Sequence, residues 1–287
     1  MADPRLRKML KDERFVVAPG VFDMISALVA DRAGFDGLYV TGYGTTASHL
    51  GIPDAGLATY TDMIERIARI TGGVHAPVIA DADTGYGGLL NVHHTVRGYE
   101  QAGVTAIQLE DQEFPKKCGH TPGRRVIQLA DMVRKIKVAA DARSSSDFLI
   151  IARTDARTSL GLDEALRRAE AYARAGADVL FVESPETVDE MARIGREVDA
   201  PLLANMVDGG GRTPLMGADQ LQDLGFAIGI WPALGFLTAA AALRDAYGHL
   251  KANGTSAGCP RPVFPFAQFN ELIGFPTVWE FDKKWAE

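Results

Sequence analysis

The chain has 287 residues, of which 47% are hydrophobic and 23% are charged, an ordinary composition for a globular protein. Its formal net charge of −7 and its lack of a long basic run argue against a nucleic-acid partner. Two cysteines, Cys118 and Cys259, are too few for a disulfide framework, which fits a reducing, cytoplasmic compartment. The first fifteen residues are charged throughout and lack an apolar h-region, so no signal peptide is expected.

Short apolar runs alternate with longer amphipathic stretches along the whole chain. The amphipathic pattern predicts a helix over 60–72, capped by Thr61 and stopped by Gly72, and another over 162–177 that ends at Gly176. The apolar runs are too short for helices and rich in Val, Ile, Leu or Phe, as buried parallel strands are. These runs cover residues 15–20, 37–42, 77–83, 106–111, 149–156, 179–184, 202–206 and 226–230.

One segment, residues 226–243, is almost wholly apolar and nearly long enough to span a membrane. Gly229, Pro232 and Gly235 interrupt it, and its composition changes from β-like residues to a run of alanines. We therefore expect a buried strand, a loop and a buried helix here, and no membrane partner.

The repetition of strand and helix, about eight times, predicts the fold. A closed parallel (β/α)₈ barrel is the simplest arrangement, formed by the chain as a single domain over 1–287. A doubly wound open sheet is the alternative. It would favour a glycine-rich phosphate turn after the first strand, and residues 18–23 do not form one.

Several of the predicted strands end on polar or small residues. In a barrel the carboxyl ends of the strands form one active-site mouth, so these side chains should converge. Any one acidic residue among them could simply cap the following helix, but a buried ring of carboxylates around Arg153 would be costly without a cation. The residues are Thr41, Gly42, Asp81, Asp83, Glu110, Asp111, Arg153, Asp155, Glu183 and Asn205.

The strongest local signal is the segment 80–88, which contains Asp81 and Asp83. These two residues are two apart on a strand, so their side chains should point to the same face of the sheet. Two close carboxylates stay ionised together only with a positive charge between them, and a hard divalent cation provides one. Mg²⁺ and Mn²⁺ are both compatible with such ligands, and Glu110 and Asp54 could complete an outer shell. The alternative is an aspartate pair that caps a turn.

The second signal is the loop that follows the next strand, with the sequence Lys116-Lys117-Cys118-Gly119-His120. Nearby cations stabilise a thiolate, so we expect Cys118 to be an acid or base of lowered pKa. One cysteine and one histidine cannot make a closed zinc site. The alternative is a solvated basic loop with an inert thiol.

These motifs, in this order, resemble the isocitrate lyase/phosphoenolpyruvate mutase superfamily over nearly the whole chain. The Lys-Lys-Cys-Gly-His loop is similar to that of the lyase branch, since the phosphonate-handling mutases and hydrolases have a different loop without the cysteine. The resemblance is carried by Thr41-Gly42-Tyr43, Asp81-Ala82-Asp83, Glu110-Asp111-Gln112, Lys116-Lys117-Cys118-Gly119-His120 and Ala152-Arg153-Thr154-Asp155.

The resemblance implies a barrel whose eighth helix is exchanged with a neighbour in a homotetramer, with the segment 264–287 packed on that neighbour and the segment 112–125 acting as a gating loop. Asp83 would hold Mg²⁺ most directly, with Asp81, Asp54 and Glu110 acting through water. The substrate, a small 2-oxo or 2-hydroxy carboxylate, would be bound by Thr41, Gly42, Tyr43, Asp81, Gly119, Arg153, Glu183, Asn205 and Pro232.

The resemblance also implies a reaction, the cleavage of a 2-hydroxy dicarboxylate of the alkylmalate or methylisocitrate kind to a 2-oxo acid such as pyruvate. Cys118 would protonate the carbon left by cleavage, with Lys117 as a further catalytic residue. Tyr43, His120 or a carboxylate would take the hydroxyl proton, and the sequence does not choose among them.

Two features distinguish this chain within the superfamily. Tyr43 and residues 269–273 are similar to the group that contains petal death protein and 2,3-dimethylmalate lyase. Pro232 stands where oxaloacetate acetylhydrolases have serine, which disfavours an oxaloacetate hydrolase or decarboxylase. A phosphonopyruvate mutase or hydrolase and a non-catalytic binding barrel are further alternatives.

Overall fold

A computed structural model of the chain describes residues 2–286 and divides them into two compact units, the first ending at Gly235 and the second beginning at Phe236. The first unit contains the parallel strands β1 Val16–Val21, β2 Leu38–Val40, β3 Val78–Asp81, β4 Ala106–Glu110, β5 Leu149–Thr154, β6 Val179–Val182, β7 Leu203–Asn205 and β8 Ile228–Trp231.

The eight strands form a (β/α)₈ barrel, as the alternation of runs predicts. Strands β1 to β5 each pair in parallel with the next in sequence, β7 pairs with β8, and β8 pairs with β1. Between β6 and β7 the barrel is closed by a parallel bridge from Leu180 to Leu202, and Leu180 N–H donates to the Pro201 carbonyl at 2.9 Å. The open-sheet alternative is therefore wrong.

Helices follow the strands around the barrel and continue into the second unit. Their bounds are α1 Arg5–Lys11, α2 Met24–Arg32, α3 Gly42–Leu50, α4 Tyr60–Gly73, α5 Leu89–Gln101, α6 Leu129–Ala142, α7 Ala156–Leu160, α8 Leu162–Ala175, α9 Val188–Glu197, α10 Ala218–Asp223, α11 Leu234–Asn253, α12 Phe266–Leu272 and α13 Phe275–Trp285.

The helix ends follow from local chemistry, with one difference from expectation. Gly176 ends α8 in the left-handed conformation, as its sequence predicts. Helix α4 is capped by Thr59 rather than Thr61, because Thr59, two residues earlier, forms a reciprocal capping box with Asp62. Thr61 is instead a residue of the first helical turn.

The apolar segment 226–243 becomes β8 and the start of α11, and among residues 2–286 no helix is long and apolar enough to cross a membrane. Strand β8 is buried, but α11 has no buried residue, so the expectation of a buried helix is wrong for the isolated chain. The alanine-rich stretch provides little side-chain area to pack, and Leu237 and Leu243 stay more than two-fifths exposed.

Alternate residues of each strand face opposite sides of the barrel wall. One set, packed with helix residues such as Ile67, Val96 and Ile136, forms the core between strands and helices. The other set fills the interior together with Leu6 of α1. That interior set comprises Val16, Ala18, Tyr39, Ile79, Ala106, Leu149, Ile151, Val179, Phe181, Leu203, Ile228 and Ile230.

The packing of α9 favours glycine at residue 195 over any residue with a side chain. A Cβ on Gly195 would overlap the Leu224 carbonyl, whose backbone cannot move as a side-chain end can. Gly195→Ala should therefore lower the free energy of unfolding by about 1–3 kcal/mol, measured by urea denaturation. Gly72→Ala is the control, because a Cβ there meets nothing within 4 Å. It should be neutral or stabilising by up to about 1 kcal/mol, and equal effects of the two changes would contradict the packing argument.

Candidate active site

The interior residues of the barrel change from apolar to polar toward the carboxyl ends of the strands. In strand β5 the inward-facing series runs from Ile151 to Arg153, and in β6 it runs from Phe181 to the residue that follows the strand, Glu183. Because side chains alternate along a strand, the last inward-facing residue of each strand lines one shared cup. The polar residues brought there, all buried, are Thr41, Asp81, Asp83, Glu110, Arg153, Glu183 and Asn205.

Asp81 is held by three donors at the floor of the cup. Its Oδ1 accepts from the Asp83 N–H at 3.0 Å and from Gln108 Nε2 at 3.2 Å, and its Oδ2 accepts from the Gly42 N–H at 3.3 Å. Residue 42 must be glycine for this approach, since a Cβ would lie 2.6 Å from Asp81 Oδ2. Tyr39 extends the network from below, because its hydroxyl donates to Gln108 Oε1 at 2.6 Å.

Asp83 reaches the same cup by a different route from the one expected. Strand β3 ends at Asp81, so strand alternation does not extend to residue 83. Asp83 instead has a left-handed backbone with φ of 49°. Burial, together with the nearby Asp81 and Asp54 carboxylates, raises the pKa of Asp83 to about 7 even though Lys116 opposes the rise.

Lys116 is the cation that faces these acids, and sequence reasoning did not single it out. Its side chain is 4% exposed, and its ammonium contacts both the Asp54 carboxylate and Asp83 Oδ1, the latter at 2.6 Å. Lys117 points elsewhere: it is exposed, and its Nζ donates to the Gly123 carbonyl within the same loop at 3.3 Å. The structure therefore brings Lys116 into the cup and leaves Lys117 outside it. Two adjacent lysines offer no sequence signal that tells which one turns inward.

Arg153 is surrounded by carboxylates. Its Nε and Nη2 donate to Asp155 at 2.9 Å each, and Nη1 lies 3.3 Å from Glu110 and 3.4 Å from Glu183 in ion pairs that lack hydrogen-bond geometry. The guanidinium also sits over the Phe181 ring, 5.2 Å from its centroid. The Nη1 group is thus the part of Arg153 that can still donate well to a ligand.

The segment 112–125 covers the cup. Its base is pinned by an antiparallel bridge from Gln112 to Val126, and the Gly119 carbonyl accepts from Ser184 Oγ at 2.9 Å. Gly119 lies so close to the cup that a Cβ there would overlap Arg153 Nη2 and come within 2.8 Å of Glu183. We call this segment the lid, and that it opens and closes as a gating loop stays a prediction.

His120, at the tip of the lid, has both ring nitrogens engaged. Its Nδ1 accepts from the Arg212 N–H at 3.0 Å, so Nε2 carries the proton that faces Glu183 Oε1 at 3.1 Å. Burial raises the pKa of Glu183, but the charge of Arg153 and the hydrogen bond with His120 outweigh that effect and hold this pKa well below its usual range. The imidazole therefore fastens the lid and has no free lone pair for a substrate proton.

Cys118, a residue of the lid, is half-buried, and the pKa of its thiol differs from expectation. Burial raises the pKa of the thiol to about 11, although a backbone hydrogen bond at His120 and the charge of Arg153 act in the lowering direction. The expected low-pKa thiolate is therefore wrong for this structure, because desolvation outweighs the neighbouring cations. Cys118 is a thiol at neutral pH, which is the form that can donate a proton.

The remaining expected residues lie on segments that follow the strands. Thr41 caps α3, and Tyr43, in the first turn of that helix, is 40% exposed. Pro232 follows β8, and its backbone packs so tightly on Gly20 that a Cβ there would overlap it. Asp54 is the carboxylate that pairs with Lys116, as described above.

Several buried oxygens in the cup lack a hydrogen-bond donor, including Glu110 Oε1 and Asn205 Oδ1. Such acceptors fit a cation, its water ligands or a hydroxylated ligand. Within residues 2–286 no three acidic, histidine or cysteine side chains gather into a metal cage. A Mg²⁺ ion binds through one or two carboxylates with water and ligand oxygens, so the donor set around Asp83 is of the kind it uses.

Comparisons with known proteins agree with this geometry. The family described as phosphoenolpyruvate phosphomutase matches residues 6–251. The 2,3-dimethylmalate lyase of Eubacterium barkeri is 49% identical over 282 residues, which cover 98% of this chain and 97% of the relative. A 2-methylisocitrate lyase of Aeropyrum pernix is 42% identical over 98% of this chain and 89% of the relative.

Solved structures show the same relationship. Oxaloacetate acetylhydrolase, in complex with the inhibitor 3,3-difluorooxalacetate, has a TM-score of 0.92 and 37% identity over 98% of this chain and 95% of that one. Phosphonopyruvate hydrolase, in a complex with oxalate and Mg²⁺, has a TM-score of 0.89 and 28% identity, with full coverage of both chains. The chain belongs to the phosphoenolpyruvate mutase/isocitrate lyase superfamily, as its motifs indicate.

Proposed function

We propose that this protein is a carbon–carbon lyase that cleaves a 2-hydroxy dicarboxylate, of the 2-alkylmalate or 2-methylisocitrate type, to a 2-oxo acid such as pyruvate and a second carboxylate. The observation that carries the proposal is the Cys118 thiol, which burial holds at a raised pKa, on the loop beside a cup that contains Arg153 and several buried carboxylates. The 2,3-dimethylmalate and 2-methylisocitrate lyases among its relatives support the same reaction class.

The substrate carboxylate next to C2 would be bound by Arg153. Its Nη1 faces Glu110 and Glu183 only in poorly aligned ion pairs, so a carboxylate offers it better hydrogen bonds. Thr41, Gly42 and Tyr43 would line the same end of the substrate, with Asp81, Gly119, Asn205 and Pro232 around the rest of the pocket. The closed lid excludes water, which protects the carbanion-like fragment from an unselective proton source.

Mg²⁺, or Mn²⁺ in its place, would be held most directly by Asp83, with Asp81, Asp54 and Glu110 acting through water. When bound, it supplies a Lewis acid for the substrate's 2-oxygen. The phosphonopyruvate hydrolase complex with oxalate and Mg²⁺ supports this assignment. The raised pKa of Asp83 supports it too, because a buried carboxylate of this kind lacks sufficient positive charge nearby.

Two proton movements would be assigned to this chain's own residues. As the bond between C2 and C3 breaks, its electron pair stays on C3, which takes the proton of the Cys118 thiol. The proton of the 2-hydroxyl goes to a base, and we infer Tyr43 rather than His120, because both nitrogens of His120 are occupied. Lys116, in contact with Asp54 and Asp83, takes the catalytic place that the sequence assigns to Lys117.

We also infer that the protein is a cytoplasmic homotetramer in which the C-terminal segment 264–287 packs on a neighbouring subunit. Exposed aromatic side chains along α12 and α13 support this inference, among them Phe266, Trp279, Phe281 and Trp285, each at least half exposed. Exposed apolar area on this scale is typical of an interaction surface.

The lyase assignment is tested with a panel of 2-alkylmalates and 2-methylisocitrate, following pyruvate release with and without EDTA. We expect cleavage of at least one substrate and its loss on chelation. Cys118→Ser should lower kcat by at least about a hundredfold, the usual contribution of a general acid, while pyruvate still binds. Cys259→Ser is the matched control and should behave as wild type. If only oxaloacetate is consumed, to oxalate and acetate or to pyruvate and CO₂, the hydrolase or decarboxylase alternative replaces the lyase.

The protonation state of Cys118 is tested by alkylation with iodoacetamide across a pH series, followed by peptide mass spectrometry. Only the thiolate reacts, so the rate should keep rising with pH toward an apparent pKa of about 11. Reaction at neutral pH should be correspondingly slow. A rate that levels off near neutral pH would show a low-pKa thiolate and would remove Cys118 as the resting acid.

The quaternary structure is tested by light scattering on the full chain, which should give four times the mass of one chain. A variant that ends at residue 263 should lose the tetramer, because it lacks the aromatic surface of α12 and α13. A tetramer that survives this truncation would assign the assembly to another surface.

A further inference from the structure

A buried ionic cluster adjoins the Nε and Nη2 edge of the Arg153 guanidinium. At its centre is Asp155, which is fully buried and is used by neither the proposed proton steps nor the metal assignment. Its Oδ2 accepts from Arg153 Nε, and its Oδ1 accepts from Arg153 Nη2, both at 2.9 Å. Its own N–H donates to Asp111 Oδ1 at 2.9 Å, which fixes the backbone of residue 155 to the end of β4.

The second cation on Asp155 comes from the lid. Arg124 Nη1 donates to the same Asp155 Oδ1 at 2.6 Å, and its Nη2 donates to Thr158 Oγ1 at 2.7 Å. The Arg124 side chain is only 1% exposed. The next residue, Arg125, is a natural contrast, because its side chain is 80% exposed and pairs with Glu113 on the surface.

We propose that Asp155 is a positioning residue that makes lid closure and the orientation of the Arg153 guanidinium depend on each other, with Arg124 as the lid's half of the link. The proposal rests on the proposed function in taking Arg153 as the group that binds the substrate carboxylate and residues 112–125 as a loop that opens and closes. Asp155 and Arg124 themselves are not catalytic residues.

The physical basis is a carboxylate oxygen shared by two guanidinium groups. With the lid closed, Arg124 donates to one side of Asp155 Oδ1. Arg153 therefore keeps its two hydrogen bonds to the Asp155 carboxylate, and its Nη1 stays directed toward the cup. Gly119, in the middle of the lid, packs close to Arg153 Nη2, so the lid restrains the guanidinium at two points. If the lid opens, Arg124 moves away and the buried Asp155 carboxylate loses one hydrogen-bond donor. The Arg153 guanidinium is then free to turn toward the lone pair of Asp155 that Arg124 had occupied.

The link predicts that removing Arg124 weakens both lid closure and carboxylate binding. The test uses the full chain with oxalate and Mg²⁺ as the probe, comparing wild type, Arg124→Ala, Arg124→Lys and Arg125→Ala. Hydrogen–deuterium exchange of residues 112–125 reports lid closure, and calorimetry reports the oxalate Kd. In Arg124→Ala we expect faster exchange confined to the lid and a Kd about tenfold higher, the loss of one charge-assisted hydrogen bond. Arg124→Lys should lie between that variant and wild type, and Arg125→Ala should match wild type.

A purely structural role for Arg124 predicts a different pattern. In that case exchange would rise across the barrel strands as well as the lid, or the oxalate Kd would not move, and either result would overturn the proposal. Equal behaviour of Arg124→Ala and Arg125→Ala would overturn it too. Neither readout requires turnover, so a wild-type protein that binds oxalate but cleaves no hydroxy dicarboxylate would refute the lyase and leave the link intact. If oxalate does not bind, unchanged lid exchange in ligand-free Arg124→Ala still refutes the link.

Discussion

The site depends on one constraint, the burial of more carboxylates than cations at the carboxyl end of the barrel. Asp81, Asp83 and Glu110 are all buried there, and burial raises the pKa of each. Among the described strand residues, Arg153 is the cation that faces these carboxylates. An arrangement of this kind costs free energy unless further positive charge is supplied, so it indicates a site for a cation and an anionic ligand rather than a device for stability.

Part of that charge comes from the lid segment, residues 112–125, which carries two buried cations. Lys116 brings its ammonium to Asp54 and Asp83, and Arg124 brings its guanidinium to Asp155. Both side chains are buried, which is favourable only because their carboxylate partners are buried beside them. Cys118 lies on the same segment, and burial raises the pKa of its thiol, which keeps it in the form that the proposed proton transfer requires.

The sequence predicts the position of a residue in the fold or the site well when that residue belongs to a periodic element, and poorly when it lies in an irregular loop. The strands, their closure into a barrel and the inward ends at Asp81, Arg153 and Glu183 follow from alternation, which a single sequence carries. The choice of Lys116 over Lys117, and the direction of the Cys118 pKa shift, depend on the course of an irregular loop and on burial, which no local pattern encodes. The cap at Thr59 was missed for a simpler reason, since two threonines two residues apart both suit a helix start.

The central claim is that the acids at residues 81 and 83 face a divalent cation in the working enzyme. The most direct measurement is anomalous diffraction from a crystal grown with Mn²⁺ and pyruvate, recorded at the manganese edge. The account predicts an anomalous peak beside the Asp83 carboxylate, with pyruvate between it and Arg153. A cup without such a peak, with pyruvate bound and the Lys116 ammonium alone on both acids, would contradict it.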